Sequence, residues 1–181
     1  MIEFVPYYEG FKGSVSKIDG ESKFLIKGVY EKIGEDKIQI TELPVGTWTM
    51  PYTNMLEQLM DGATDKSGKK ITPIIKDMVS FSTEVNVDFT ITLAKGKLKE
   101  LESKALDANG VNGLEKALKL ATTVSTTNMH MFDEDLKLHK YNSVEEIIDG
   151  FTKVRLDKYE KRKAAQLTDM RQKLVKLSTK A

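Results

Sequence analysis

Cysteine is absent from the 181 residues. This excludes a disulfide framework and a thiolate zinc site, and it fits an intracellular protein. No apolar run approaches the roughly 18 residues of a membrane span, and the N-terminus carries no signal-peptide pattern. Histidine occurs only at His130 and His139. Without cysteine or a supporting motif these two give little basis for a metal site, and both are expected on strand surfaces. None of the six tyrosines follows an arginine. Bulk positive charge, which often announces a DNA-binding domain, is lacking too, since the net charge is +1.

What is present is an ordinary globular composition, 40% hydrophobic and 30% charged, long enough for one or two domains and a sizeable core. The charge is uneven. Residues 1–60 and 61–150 each carry a net −3, whereas residues 151–181 hold ten Lys/Arg against three Asp/Glu, a net +7. That excess, centred on the run Lys153–Lys163, is large enough to attract phosphate at moderate salt. A solvated helix face would gather the same residues.

The first 45 residues predict an antiparallel β-meander. Ser14–Ile18 and Lys23–Ile33 flank Asp19-Gly20, a dipeptide suited to a tight hairpin. Phe24, Ile26 and Tyr30 alternate on one face of the longer strand. Gly34-Glu35-Asp36 makes the next turn, and Ile38 and Ile40 continue the alternation until Pro44, which cannot donate to a ladder. Thr49 to Met60 reads as a helix capped by Thr49. Asp61–Lys70 reads as an exposed loop. Val85, Val87, Phe89, Ile91 and Leu93 alternate strictly and predict a strand. Lys97–Leu106 reads as an amphipathic helix, and a short helix follows near Leu114–Leu118. Met129–Phe132 and Leu136–Lys140 predict a hairpin across Asp133-Glu134-Asp135. Ser143 and Glu146 form a capping box at the start of the longest element. From there to about Thr179 no proline occurs. About 36 residues of helix would span roughly 54 Å, so this helix is expected to project from the α+β body. Leu167, Met170, Leu174 and Leu177 repeat at coiled-coil spacing.

Catalytic signatures fail on spacing. Gly62…Gly68-Lys69-Lys70 has five residues between the glycines and no Ser/Thr after the lysine, so it is not a phosphate-binding loop. Asp133 and Asp135 have the pairing that Mg²⁺ sites use, but no third acidic group supports them at a hairpin tip. A solvated turn is the better reading. Trp48 and Glu42–Pro44 are assigned to packing and chain reversal, and so is the stretch Leu120–Met129, whose Thr/Ser hydroxyls are also candidates to approach phosphates.

Three ordered blocks resemble the eukaryotic and large-DNA-virus type IIA DNA topoisomerases. The first is Val5-Pro6-Tyr7-Tyr8-Glu9-Gly10-Phe11-Lys12-Gly13-Ser14-Val15. The second is Ile40-Thr41-Glu42-Leu43-Pro44-Val45-Gly46-Thr47-Trp48-Thr49. The third runs from Gly113-Leu114-Glu115-Lys116 through Lys119–Met129, Phe132-Asp133 and Lys140-Tyr141 to Arg155-Leu156, Tyr159 and Arg162-Lys163. The resemblance covers almost the whole chain.

It implies an α+β tower domain over residues 1–142 and, over residues 143–181, the first arm of a C-gate coiled coil. It also implies a homodimeric parent enzyme that passes one duplex through a transient break in another, using ATP and Mg²⁺. By family order the nucleophilic tyrosine of the winged-helix domain, the metal-binding domain and the ATPase precede Met1. The chain alone is then expected to be inactive and monomeric, with no catalytic residue, metal or cofactor of its own. Its expected partners are double-stranded DNA and the parent's winged-helix and metal-binding domains, with no membrane. Expected localisation is the nucleus for a cellular protein, and host cytoplasm or virion for a viral one. The family's DNA-intercalating isoleucine aligns with Val15. Small neighbours, Gly13 and Ser14, permit close backbone approach there, and Lys12 and Lys17 supply flanking charge. Lys12, Lys17, Lys153, Arg155 and Arg162 are the DNA-backbone candidates.

Overall fold

A computed structural model describes residues 4–62, 73–104 and 106–180. The chain is α+β, with every strand pairing antiparallel and a long C-terminal helix. It divides into two units, Met1–Thr126 and Thr127–Ala181. The lysine-rich stretch expected as a loop lies, from residue 63 onward, outside the described residues.

In the first unit, β1 (Ser14–Lys17) and β2 (Lys23–Lys27) form the expected hairpin. Gly20 takes φ +74° in the turn, and the Ile18 N–H donates to the Lys23 carbonyl at 3.0 Å. The strand expected over Lys23–Ile33 is in fact two, β2 and β3 (Val29–Lys32), broken at Gly28. The Gly28 N–H donates to Leu120 O at 2.9 Å, and a Cβ at Gly28 would lie 2.3 Å from Glu42 O. Here the chain changes partners, so the unbroken alternation conceals a crossing. β3 pairs with β4 (Lys37–Glu42).

α1 (Thr49–Asp61) begins after Trp48, which holds the N-cap position without a side-chain cap. Thr49, expected as the cap, lies inside the helix, and its carbonyl accepts the Thr53 hydroxyl at 3.0 Å. β5 (Ile75–Ser80) has no clear apolar alternation, and nothing in its sequence marks it as a strand. β6 spans only Phe89–Leu93, because residues 81–88 close the β5–β6 hairpin instead. Phe81 N–H donates to Asp88 O and Thr83 N–H to Asn86 O, both at 2.8 Å, leaving Val85 88% exposed. Hydroxyls of Ser82 and Thr83 accept the Asp88 and Asn86 N–H groups and outcompete the ladder.

α2 (Lys97–Ser103) stops short of Leu106, which is exposed. Lys104 is extended, and a Cβ at Gly113 would lie 2.4 Å from Leu101 O, so the next element presses on the helix end. The intervening turn is held by Asp107. Val111 N–H and then Asn109 N–H donate to its carboxylate and keep its pKa below the ordinary value. α3 (Gly113–Ala117) starts with a capping box between Asn112 and Glu115. β7 (Ala121–Ser125) then joins β2.

The sheets are ordered β1-β2-β7 and β3-β4-β6-β5. The main core packs Ile38, Ile40, Phe89, Ile91 and Leu93 against Tyr52 and Leu56 of α1, Leu98 and Leu101 of α2, and Leu114, Leu118 and Leu120. Each such fully buried side chain contributes about 1.5–3 kcal/mol.

The second unit contains β8 (His130–Phe132), β9 (Leu138–Lys140) and α4 (Val144–Ser178). The Ser143 hydroxyl accepts Glu146 N–H at 3.2 Å, as the capping box requires. The Glu146 carboxylate, however, accepts from Asn142 N–H at 2.8 Å rather than from Ser143. α4 runs for 35 residues with none buried, and Leu167, Met170, Leu174 and Leu177 are exposed along it.

Candidate nucleic-acid interface

Among the described residues β1 is an edge strand, with β2 as its one ladder partner. Its register pairs Val15 with Ile26 and Lys17 with Phe24. Paired residues share a face, so Val15 and Lys17 lie on the face of Phe24 and Ile26, and Thr122 and Val124 of β7 continue it. Phe24 and Ile26 are buried, Val15 is half-buried, and Lys12 and Lys17 are exposed. Three candidates thus meet on one short segment: an apolar side chain between two cations.

The lead-in to β1 is held from below. The Lys12 N–H donates to Glu42 Oε2 at 3.3 Å. At Gly13, a Cβ would lie 2.1 Å from Lys27 O and 2.3 Å from the Phe11 ring. The close approach expected of Gly13 is therefore made to the protein's own backbone.

The other candidates belong to the second unit. Lys153, Arg155 and Arg162 are exposed on α4. Arg155 and Arg162, seven residues apart, share a helix face with Lys158, whereas Lys153 points elsewhere. The Arg155 guanidinium lies 4.8 Å from the centroid of the Tyr159 ring, a cation–π contact that orders it.

The acidic and histidine candidates build local structure. Asp133 Oδ1 accepts the N–H groups of Asp135 and Lys137, both at 2.9 Å, which makes a hairpin turn. His130 Nδ1 lies 3.1 Å from Asn128 Oδ1. His139 Nε2 lies 3.5 Å from Glu146 Oε1, and its ring meets Tyr141 edge-on. The bond from Asn142 N–H, and secondarily His139, lower the pKa of Glu146. Among the described residues no three His, Cys, Asp or Glu side chains converge to hold a metal ion.

Two features differ from what the sequence leads one to expect. Trp48, assigned to packing, is 78% exposed. Its carbonyl accepts the Tyr52 N–H, and Tyr52 fills the core in its place. Glu115 is the other: Asn112-x-x-Glu115 satisfies the same capping rule as Ser143-x-x-Glu146, and that spacing is the signal that marks it.

All of residues 1–181 match the family model for the A subunit of DNA gyrase/topoisomerase IV. The chain is 34% identical to DNA topoisomerase 2 of Arabidopsis thaliana over 184 residues, covering 100% of this chain and 12% of that protein. It is 38% identical to DNA topoisomerase 2 of Bombyx mori over 177 residues, covering 97% of this chain and 10% of that protein. The fold is similar to the crystal structure of the Plasmodium falciparum topoisomerase II DNA-binding, cleavage and re-ligation domain. That match has a TM-score of 0.75 and 36% identity, covering 90% of this chain and 20% of that one. The chain thus spans 10–12% of the length of these two curated relatives.

Proposed function

The chain belongs to the family of the DNA gyrase/topoisomerase IV A subunit, and from that premise we propose that it is the DNA-binding and DNA-bending segment of an ATP-dependent type II DNA topoisomerase. The observation that supports this reading is the placement of half-buried Val15 on edge strand β1, between exposed Lys12 and Lys17. Val15 acts as the wedge. Pushed between two base pairs, it unstacks them at a cost of a few kcal/mol, which the added contacts of the bent duplex offset. Lys12, Lys17, Lys153, Arg155 and Arg162 neutralise phosphates along the path.

In this reading residues 1–142 serve as the tower and residues 143–181 as the first coiled-coil arm. Strand cleavage and ATP hydrolysis belong to the winged-helix, metal-binding and ATPase domains of a homodimeric parent. Mg²⁺ and ATP are likewise assigned to those other domains of the parent. The isolated chain is monomeric and has no relaxation activity. It works in the nucleus if its source is cellular, and in host cytoplasm or the virion if viral.

One observation favours a second reading, a structural connector with little DNA affinity: Val15 shares its face with the buried Phe24 and Ile26. Val15→Ala in the full-length enzyme separates the two. The wedge reading expects a smaller DNA bend by end-to-end energy transfer and less cleavage. A variant that bends and cuts like wild type yet melts at lower temperature would make Val15 a core residue.

A further inference from the structure

Glu115 is the one charged side chain that is buried among the described residues, and the DNA-facing surface makes no use of it. Its Oε2 accepts the Asn112 N–H at 2.9 Å and lies 2.9 Å from Lys27 Nζ. The same ammonium donates to Gly110 O at 2.6 Å. Only 21% of the Lys27 side chain and 12% of the Glu115 side chain remain exposed. Charges this far out of water persist only where fixed partners surround them. Asn112 Nδ2 extends the network to Tyr30 Oη at 3.0 Å. The network therefore links β2 of one sheet, β3 of the other and the start of α3.

Lys27 stands where the hairpin meets the body. It follows Ile26, the partner of Val15, and its own partner on β1 is Ser14. Its carbonyl is the atom against which Gly13 is seated. The next residue, Gly28, is where the chain leaves one sheet for the other. A side chain that pries base pairs apart is pushed back with equal force. β7 holds β2 along its length, but among the described residues β1 hangs on β2 alone and the chain leaves the sheet at a glycine, so a further brace at that exit resists the load.

We propose that the Lys27–Glu115 ion pair is that brace: it fixes the direction of the β1–β2 hairpin, making Lys27 and Glu115 positioning residues for Val15 during DNA bending. The inference rests on Val15 being the wedge. Neither Lys27 nor Glu115 touches DNA in this role. The charged pair suits it because its energy depends steeply on distance and direction, whereas an apolar contact tolerates sliding.

The test uses the full-length enzyme with Glu115→Gln, Lys27→Met, the double variant, and Lys27→Arg. Bend angle on an end-labelled duplex at saturating protein is measured beside melting temperature. Glu115→Gln keeps an acceptor for the Asn112 N–H and removes only the charge. The double variant leaves no orphaned charge, so its melting temperature recovers toward wild type. Its bent fraction nevertheless falls about tenfold, the scale of one charge-assisted hydrogen bond. Lys27→Arg retains both charge and bending. If the double variant recovers bending together with melting temperature, the pair only stabilises the fold and the proposal is overturned. The same holds if Ile91→Val, matched in melting temperature to Glu115→Gln, loses as much bending. Val15→Ala run in parallel separates the two layers. Wild-type bending by Val15→Ala removes the wedge and the brace with it, while loss of bending there, but not in the double variant, removes the brace alone.

Discussion

Gly13 faces the carbonyl of Lys27 so closely that a single methyl on its Cα would stand 2.1 Å from that oxygen. The obstacle is backbone in the middle of a three-stranded sheet, so no rotamer change relieves it. Gly13→Ala is therefore expected to lift the lead-in off β2 and to destabilise the first unit by about 2–3 kcal/mol, the upper range of overpacking. Urea denaturation of the purified chain checks this. A midpoint like wild type would mean that the lead-in packs elsewhere in solution.

Tyr52 donates its hydroxyl to Leu118 O at 2.8 Å inside the main core, and its ring meets Phe89 edge-on. Tyr52→Phe keeps the ring but leaves that carbonyl unsatisfied, for a loss of about 1–2 kcal/mol. Burial also raises the phenol pKa well above its ordinary value. A raised folded-state pKa means that this contribution is complete below the unfolded value of about 10 and is lost as pH climbs beyond it. Wild type should therefore lose stability in alkali more steeply than Tyr52→Phe. Parallel alkaline profiles for the two would disprove the assignment.

These residues also show what a sequence can reveal. The hairpin at Asp19-Gly20, the inward Ile38 and Ile40, and the long helix follow from local turn chemistry and periodicity, and all are present. The break at Gly28 is hidden because alternation continues across it while the partner strand changes, and partners are set by distant segments. Val85 and Val87 alternate yet sit where Ser82 and Thr83 close a turn. β7 is illegible because Ala-Thr-Thr-Val-Ser has no strong apolar face and gains its place only by pairing with β2. In the candidate site, Lys12, Val15 and Lys17 are neighbours in sequence and so are visible together. Glu115, 88 residues from Lys27, can be foreseen as a cap but not as an ion-pair partner.

Gly150 lies in α4 with nothing within 4 Å of where its Cβ would be. The helix gains nothing from the missing side chain and bears its backbone entropy. Gly150→Ala should stabilise the second unit by about 1 kcal/mol. Circular dichroism melts should show higher helicity and a later transition. An earlier transition would mean that the position needs glycine for a close approach made in the assembled enzyme.

The lysines beside Val15 offer the most discriminating measurement, because charge and shape leave different signatures. Val15→Ala removes about two methylene equivalents of insertion, roughly 1.6 kcal/mol at ~0.8 kcal/mol per CH₂, and should hardly alter how binding responds to salt. Lys12→Ala removes charge while preserving the Lys12 N–H bond to Glu42, which is made by the backbone, so the lead-in keeps its place. Each of Lys12→Ala and Lys17→Ala should then flatten the slope of log affinity against log salt by about one unit, because one phosphate is no longer neutralised. Arg155→Ala and Arg162→Ala, on one face of α4, should act additively with them if both units lie along the same duplex. A salt titration of the full-length enzyme reads all of these at once. Unchanged slopes for both lysine variants would take β1 off the phosphate backbone, and an unchanged slope for the arginine pair would leave α4 as a helix that is basic only because it is solvated.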